Sequence, residues 1–150
     1  MKKETGGDIL GFISNIIHEK KQVEDYGVYL TICKVFRFTS KADIDFGGSE
    51  YKKSEIEEIN PVKRKEEDKY GWWELTGGEY LIEFNEEVKK LLPDANLVIL
   101  QPSERITLNG AFHATKVIEK QGKIRLTLYV GKNGIYIKEN ARISKLIVLD

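Results

Sequence analysis

The sequence predicts a mainly β protein, an antiparallel sandwich or barrel with one short N-terminal helix, on three observations. Residues 75–149 alternate short β-rich runs with the turn dipeptides Gly77-Gly78, Pro93-Asp94, Asn109-Gly110, Gln121-Gly122, Asn133-Gly134 and Glu139-Asn140. Strands joined by such tight turns pair with their chain neighbours, which makes the sheet antiparallel. Helical spacing of apolar residues is confined to the N-terminal stretch. Finally, 150 residues with 41% hydrophobic and 32% charged content suffice for one core and are too few for two ordinary ones. Residues 1–150 are therefore read as a single domain.

Composition also sets exclusions. The 24 basic and 24 acidic residues cancel, so no general field draws the chain to nucleic acid or an anionic membrane. Cys33 is the single cysteine, which rules out an intrachain disulfide and a cysteine-based metal site within one subunit. No run approaches the ~20 apolar residues of a membrane span, and no secretory pattern opens the chain. The expectation is a cytoplasmic protein without nucleic-acid or membrane partners.

Each element follows from its own residues. After a polar lead over residues 1–7, Asp8 is a good N-cap, and Ile9, Leu10, Phe12, Ile13, Ile16 and Ile17 recur at helical spacing until Glu19, Lys20 and Lys21. Residues 22–38 read as a strand whose apolar phase changes near Cys33-Lys34, which predicts a bulge or bend. Residues 39–70 form a polar, charge-dense excursion containing Gly47-Gly48. Within it Ile56, Ile59 and Val62 supply one strand or arm, interrupted by Pro61. Adjacent strand residues face opposite sides, so one of Trp72 and Trp73 enters the core while the other faces solvent, a partner subunit or a ligand. Tyr80, Ile82 and Phe84 alternate, as do Ile124, Leu126, Leu128 and Val130, and residues 97–100 form a short buried run. Residues 135–138 and 143–149 complete the sheet. Asn133-Gly134 is a two-residue hairpin signal, and Gly110 marks positive φ or a close backbone approach.

The order of motifs carries a family resemblance. A Gly77-Gly78-Glu79-Tyr80-Leu81 strand is followed by an Asn85-Glu86 turn, a Leu92-Pro93-Asp94 corner and an apolar strand ending at Pro102. Then come Asn109-Gly110-Ala111, Gly134-Ile135 and Ala141-Arg142-Ile143. This succession resembles the dUTPase and dCTP deaminase superfamily, in particular its archaeal branch. The resemblance implies a dUTPase-like distorted jelly-roll or β-barrel, a homotrimer with sites between subunits and a deoxypyrimidine nucleotide as ligand. It also implies Mg²⁺ if the protein is active, and no cofactor otherwise.

Several family positions are substituted. The family grips its triphosphate with an Arg-Ser-Ser segment and a further Arg, because guanidinium forks and hydroxyls suit phosphate oxygens. Anchored on Pro102 and Asn109-Gly110-Ala111, Ser103 stands at the first arginine, Glu104 and Arg105 at the serines, and Leu108 at the second arginine. A carboxylate there repels phosphate. Tyr29 stands where many members carry an aspartate. Glu119 is the substitute for the family's hairpin aspartate, without the neighbouring glycine and tyrosine. In the following strand, where deaminating members hold a catalytic glutamate, Thr127 or a neighbour stands, with no carboxylate between Lys123 and Asn133. Loss of a general base costs roughly 10²–10⁴ in rate.

The candidate site is thus Ser103, Arg105, Asn109, Gly110 and Ala111 for substrate, with Glu119 and His113 as catalytic candidates. A structural role for His113 outweighs a catalytic one, His18 is a surface or boundary residue of the N-terminal helix, and one histidine with Glu119 is too little to specify a metal site. Three readings stand. The protein hydrolyses dUTP to dUMP and pyrophosphate; or it is a catalytically silent trimeric scaffold or ligand-sensing paralogue; or it is an unrelated β-sandwich module binding a sugar or a protein.

Overall fold

The computed structural model describes residues 2–91 and 96–150. The Pro93-Asp94 turn and the Leu92-Pro93-Asp94 corner lie outside the described residues. In chain order the helical turns are α1 (Gly6–Ile9), α2 (Glu19–Gln22) and α3 (Glu104–Thr107), with a 3₁₀ turn at Leu10–Phe12. The strands are β1 (Ile13–Ser14), β2 (Val23–Glu24), β3 (Gly27–Phe38), β4 (Ile56–Ile59), β5 (Trp72–Leu75), β6 (Gly78–Val88), β7 (Leu97–Pro102), β8 (Ala111–Phe112), β9 (Lys116–Val117), β10 (Gly122–Val130), β11 (Ile135–Lys138) and β12 (Arg142–Leu149).

Among the described residues one curled antiparallel sheet runs β8-β10-β6-β3-β12-β7-β9, with β1 beside β6 and both β2 and β4 beside β3. A second, two-stranded sheet pairs β11 with β5. The mainly β, dUTPase-like architecture expected from the sequence is the one observed. Buried apolar residues from both sheets and from α1 form one cluster, which includes Ile9, Leu30, Trp73, Phe84, Leu128 and Leu146. Each such side chain stabilises by roughly 1.5–3 kcal/mol relative to exposure.

Strand β3 is the hub. Its register against β6 shifts between Ile32 and Lys34, so the phase change at Cys33 is a bulge, as expected. The shift keeps Ile32 and Val35, three residues apart, both buried. On β6, Tyr80, Ile82 and Phe84 point into the core as their alternation predicts. Trp73 is buried and its Nε1 donates to the Ile59 carbonyl at 2.8 Å, whereas Trp72 faces outward under the Arg64 guanidinium, 3.6 Å from its ring centroid.

Three local expectations are corrected. The continuous helix from Asp8 to Lys21 is replaced by α1, the 3₁₀ turn, β1 and α2. A helix this short is marginal unless packing supports it. Here the chain gains more by pairing Ile13 and Ser14 with Val88 and Glu87 of β6, then turning at Asn15 (φ 69°). Thr5, not Asp8, is the cap, its Oγ1 accepting from the Asp8 N–H at 3.1 Å. Next, Asn85-Glu86 is not a turn but lies inside β6. Its polar side chains are absorbed by buried hydrogen bonds rather than by solvent. Finally, Asn133-Gly134 does turn the chain, with Gly134 at φ +73°, yet it does not join paired strands. Strand β11 crosses to β5, aligning Ile137 with Trp73, and there Ile137 is buried and Ile135 packs against the core.

Candidate functional site

The site is built where β7 ends against β12. The Ser103 N–H donates to the Ile143 carbonyl at 2.8 Å, so the ladder continues one residue past Pro102 before α3 lifts the chain away. Ser103 is buried, and its hydroxyl lies 3.5 Å from the Arg142 carbonyl rather than capping α3. Glu104 occupies the first turn of α3, where a negative charge suits the exposed N–H groups. Arg105 follows it at the surface.

Around this corner a polar cleft of about 530 Å³ is lined by Arg105, Arg142 and Lys145 with Glu24, Tyr29 and Ser103. Arg142 and Lys145 are an odd number of residues apart and would face opposite sides of a regular strand. The β12 register against β3 shifts between Arg142 and Ser144, and this irregularity brings both cations to the cleft. Arg142 Nη1 donates to the Lys21 carbonyl at 2.6 Å, and its guanidinium lies 5.7 Å from the Tyr29 ring centroid. Lys145 Nζ sits 2.6 Å from Glu24 Oε2 and 5.8 Å from the same ring.

The electrostatics follow from these contacts. The Lys145 ammonium, 2.6 Å from Glu24 Oε2, holds that carboxyl below its ordinary range against the opposing effect of burial. Burial, and then the neighbouring Glu24 carboxylate, push the Tyr29 phenol up. The cleft therefore presents Arg105, Arg142 and Lys145, the Tyr29 phenol and two carboxylates, of which Glu24 is a weak base and Glu104 lies at the start of α3.

A second polar feature is linked to it through the Tyr29 backbone. Glu86 of β6 is fully buried and accepts from the Thr31 N–H (2.7 Å), Thr31 Oγ1 (2.7 Å) and Gln22 Nε2 (2.8 Å). Burial raises its pKa, and the hydrogen bonds from Thr31 and Gln22 oppose that rise. Gln22 also donates to the Tyr29 carbonyl at 2.9 Å, while its Oε1 accepts from the N–H groups of Ile17 and His18. The network ties β6 to the segment that carries Glu24 and Tyr29.

The expected site residues separate into groups. Ser103 and Arg105 share the cleft. Asn109 is exposed and Nδ2 donates to the Arg105 carbonyl at 2.7 Å, closing α3. Gly110 has φ +88°, as its turn requires, and its carbonyl accepts from the Gly131 N–H at 2.8 Å. Ala111 is buried and pairs with Val130. His113 is buried between β8 and β12. Its Nδ1 lies 2.8 Å from the Ala114 carbonyl, so it donates there, and Nε2 accepts from Ser144 Oγ at 2.7 Å. Burial lowers the His113 pKa and keeps the ring neutral. Glu119 lines a different, largely apolar cavity of about 360 Å³ with Ile9, Phe12 and Val148.

Sequence reasoning did not place Glu24, Arg142 or Lys145 in the site, although Arg142 stands in the Ala141-Arg142-Ile143 motif that carries the resemblance. The available signal was the polar interruption Arg142, Ser144 and Lys145 in an otherwise apolar last strand. As for Mg²⁺, no group of three or more His, Cys, Asp or Glu gathers among the described residues. Mg²⁺ carried by a triphosphate needs only one or two protein carboxylates. Glu24 is committed to Lys145, which leaves the exposed Glu104 as the cleft's other carboxylate.

A solved structure with this architecture is the 2'-deoxycytidine 5'-triphosphate deaminase of Agrobacterium tumefaciens, at a TM-score of 0.67 and 12% sequence identity. The chain has the dCTP deaminase fold. The superposition covers 97% of this chain and 47% of that one, so this chain spans about half the length of the deaminase. No family model and no curated protein matches the sequence. No helix among the described residues is long and apolar enough to cross a membrane.

Proposed function

We propose that the protein binds the phosphate end of a deoxypyrimidine nucleotide in the cleft around Arg105, acting as a ligand-sensing member of deoxypyrimidine nucleotide metabolism. The reading is carried by the convergence of Arg105, Arg142 and Lys145 with buried Ser103 on a dCTP deaminase fold, directly after the strand ending at Pro102. Guanidinium groups offer paired donors to phosphate oxygens and a lysine offers a point charge. Tyr29 adds an aromatic face.

Hydrolysis of dUTP has less support. A general base works best with a pKa near the operating pH, and Glu24 is held below even the ordinary carboxylate range. Glu119 belongs to another cavity of the same chain. Turnover would require a carboxylate from a neighbouring subunit, for which the homotrimer expected from the resemblance offers the setting.

The test is calorimetric titration with dUTP, dCTP and dUMP, with and without Mg²⁺, alongside assays of pyrophosphate and ammonia release. Saturable binding without release is expected, weakened roughly tenfold or more in Arg105→Ala, the usual consequence of removing a charge-assisted bond. Release of either product, abolished in Glu119→Ala, would replace sensing by catalysis. Absence of binding to all three nucleotides would end both readings.

A further inference from the structure

Residues 39–55 leave the sheet as a well-tied arm that nothing in the nucleotide reading uses. Its base is closed by Thr39 N–H to the Glu55 carbonyl (2.8 Å), Glu55 N–H to Ser40 Oγ (2.8 Å) and Ser54 Oγ to the Ser40 carbonyl (2.9 Å). Asp43 and Lys52 exchange two backbone bonds of 2.9 Å. At the tip Asp45 accepts from the N–H groups of Gly48 and Glu50 at 3.0 and 2.8 Å, and Gly48 takes φ +93°.

This ordered tip presents apolar groups to water. Ile44 is 78% exposed, Tyr51 52%, and Phe46 is completely exposed. Residues 43–51 also carry three carboxylates, Asp43, Asp45 and Glu50, and no cation. Hydrogen bonds that fix a loop while its apolar side chains stay uncovered reduce the ordering cost of docking those side chains elsewhere.

A complementary surface lies on the other sheet. A cleft of about 610 Å³ is walled by Val62, Lys63, Arg64, Trp72, Glu74 and Tyr136. The Arg64 guanidinium stands 3.6 Å from the Trp72 ring centroid and 5.2 Å from that of Tyr136, and Lys138 Nζ lies 5.7 Å from the Trp72 centroid. Two cations on its wall, Lys63 and Arg64, face one lining carboxylate, Glu74, which is already hydrogen-bonded to the Tyr136 hydroxyl at 2.9 Å. An acidic, aromatic tip and a basic, aromatic cleft are complementary in charge and in kind.

We propose that the arm of one copy docks in the Trp72–Tyr136 cleft of a second copy, with Phe46 as the anchor beside Arg64. The arm cannot reach its own cleft while its ladder is intact. It departs from the Ile56 end of β4, paired with Phe38, whereas the cleft begins past the Ile59 end, paired with Val35. The contact joins two different patches, so it closes as a reciprocal pair or a ring.

Sedimentation velocity over a concentration series tests this with Phe46→Asp, which disables the arm, and Arg64→Glu, which disables the cleft. Wild type is expected to associate, and each variant alone to do so about thirtyfold more weakly or worse, as for loss of an interface anchor. Mixing the two variants is expected to restore a heteromer, because one supplies an intact arm and the other an intact cleft. That recovery also shows that both variants are folded. A wild type that stays monomeric at high concentration, association indifferent to both substitutions, or a mixture that does not recover would each overturn the proposal.

Discussion

Gln22→Ala is the perturbation that most directly probes how the cleft is supported. The Gln22 side chain is buried and makes four hydrogen bonds of 2.8 to 2.9 Å, to the Ile17 and His18 N–H groups, the Tyr29 carbonyl and Glu86 Oε2. Ile17 and His18 are exposed, so their N–H groups regain water. The Tyr29 carbonyl and Glu86 do not regain it as easily, and each buried group left short of a partner costs about 1–3 kcal/mol. A net loss of about 3 kcal/mol is expected, which for a chain of this size lowers Tm by roughly 6–12 °C. Urea unfolding followed by far-UV circular dichroism measures it. A loss below about 1 kcal/mol would refute the reasoning, because the network would then be surplus to the packing around it. Gln22→Glu sharpens the test by placing a second carboxylate beside Glu86. Glu86 already titrates above the ordinary 4.5 because it is buried, and a like charge raises it further. The native state then keeps a proton that the unfolded chain has released, so stability should fall as pH rises from about 4.5 through the raised folded value. A flat profile would count against the buried network.

Other outcomes are expected from the same structure. His113 has its pKa lowered from 6.5 by burial, so the unfolded chain takes up a proton that the native ring refuses. Wild-type stability should therefore fall as pH drops below 6.5 towards the lowered folded value, and His113→Gln should lose that slope in urea midpoints measured across the window. Trp73→Phe leaves the Ile59 carbonyl without its donor and should cost about 1–3 kcal/mol. Trp72→Phe, on the outward face, should stay within about 1 kcal/mol in the same denaturation assay. In nucleotide titrations Arg105→Ala should weaken binding roughly tenfold or more while leaving Tm nearly unchanged, since Arg105 is an exposed side chain without an ion pair among the described residues.

Some of this was legible in the residues themselves. The β class, the bulge at Cys33, the inward face of Tyr80, Ile82 and Phe84, the positive φ of Gly110 and the division of labour between Trp72 and Trp73 all follow from periodicity and local backbone chemistry. These signals act over a few residues, and the sheet reads them directly. The dUTPase-like fold was legible through the order of motifs and is the one observed. Other features depended on partners distant in the chain. A helix-period run at residues 8–21 was broken up, with β1 forming where the end of β6, at Glu87 and Val88, runs past its β3 partner and pairs with Ile13 and Ser14. Asn133-Gly134 turned the chain towards β5, where Ile137 is buried and Ile135 packs against the core.

The cleft shows the same division. Sequence alone marked Ser103 and Arg105, whose neighbours Pro102 and Asn109-Gly110-Ala111 fix their place in the chain. Only the tertiary structure brought Glu24, Arg142 and Lys145 to them, from strands separated by more than a hundred residues, and moved Glu119 to a different cavity. The physical reason is that a strand's side-chain phase is set locally, whereas its neighbours and the bulges that reset that phase are set by which long-range pairings bury the most surface.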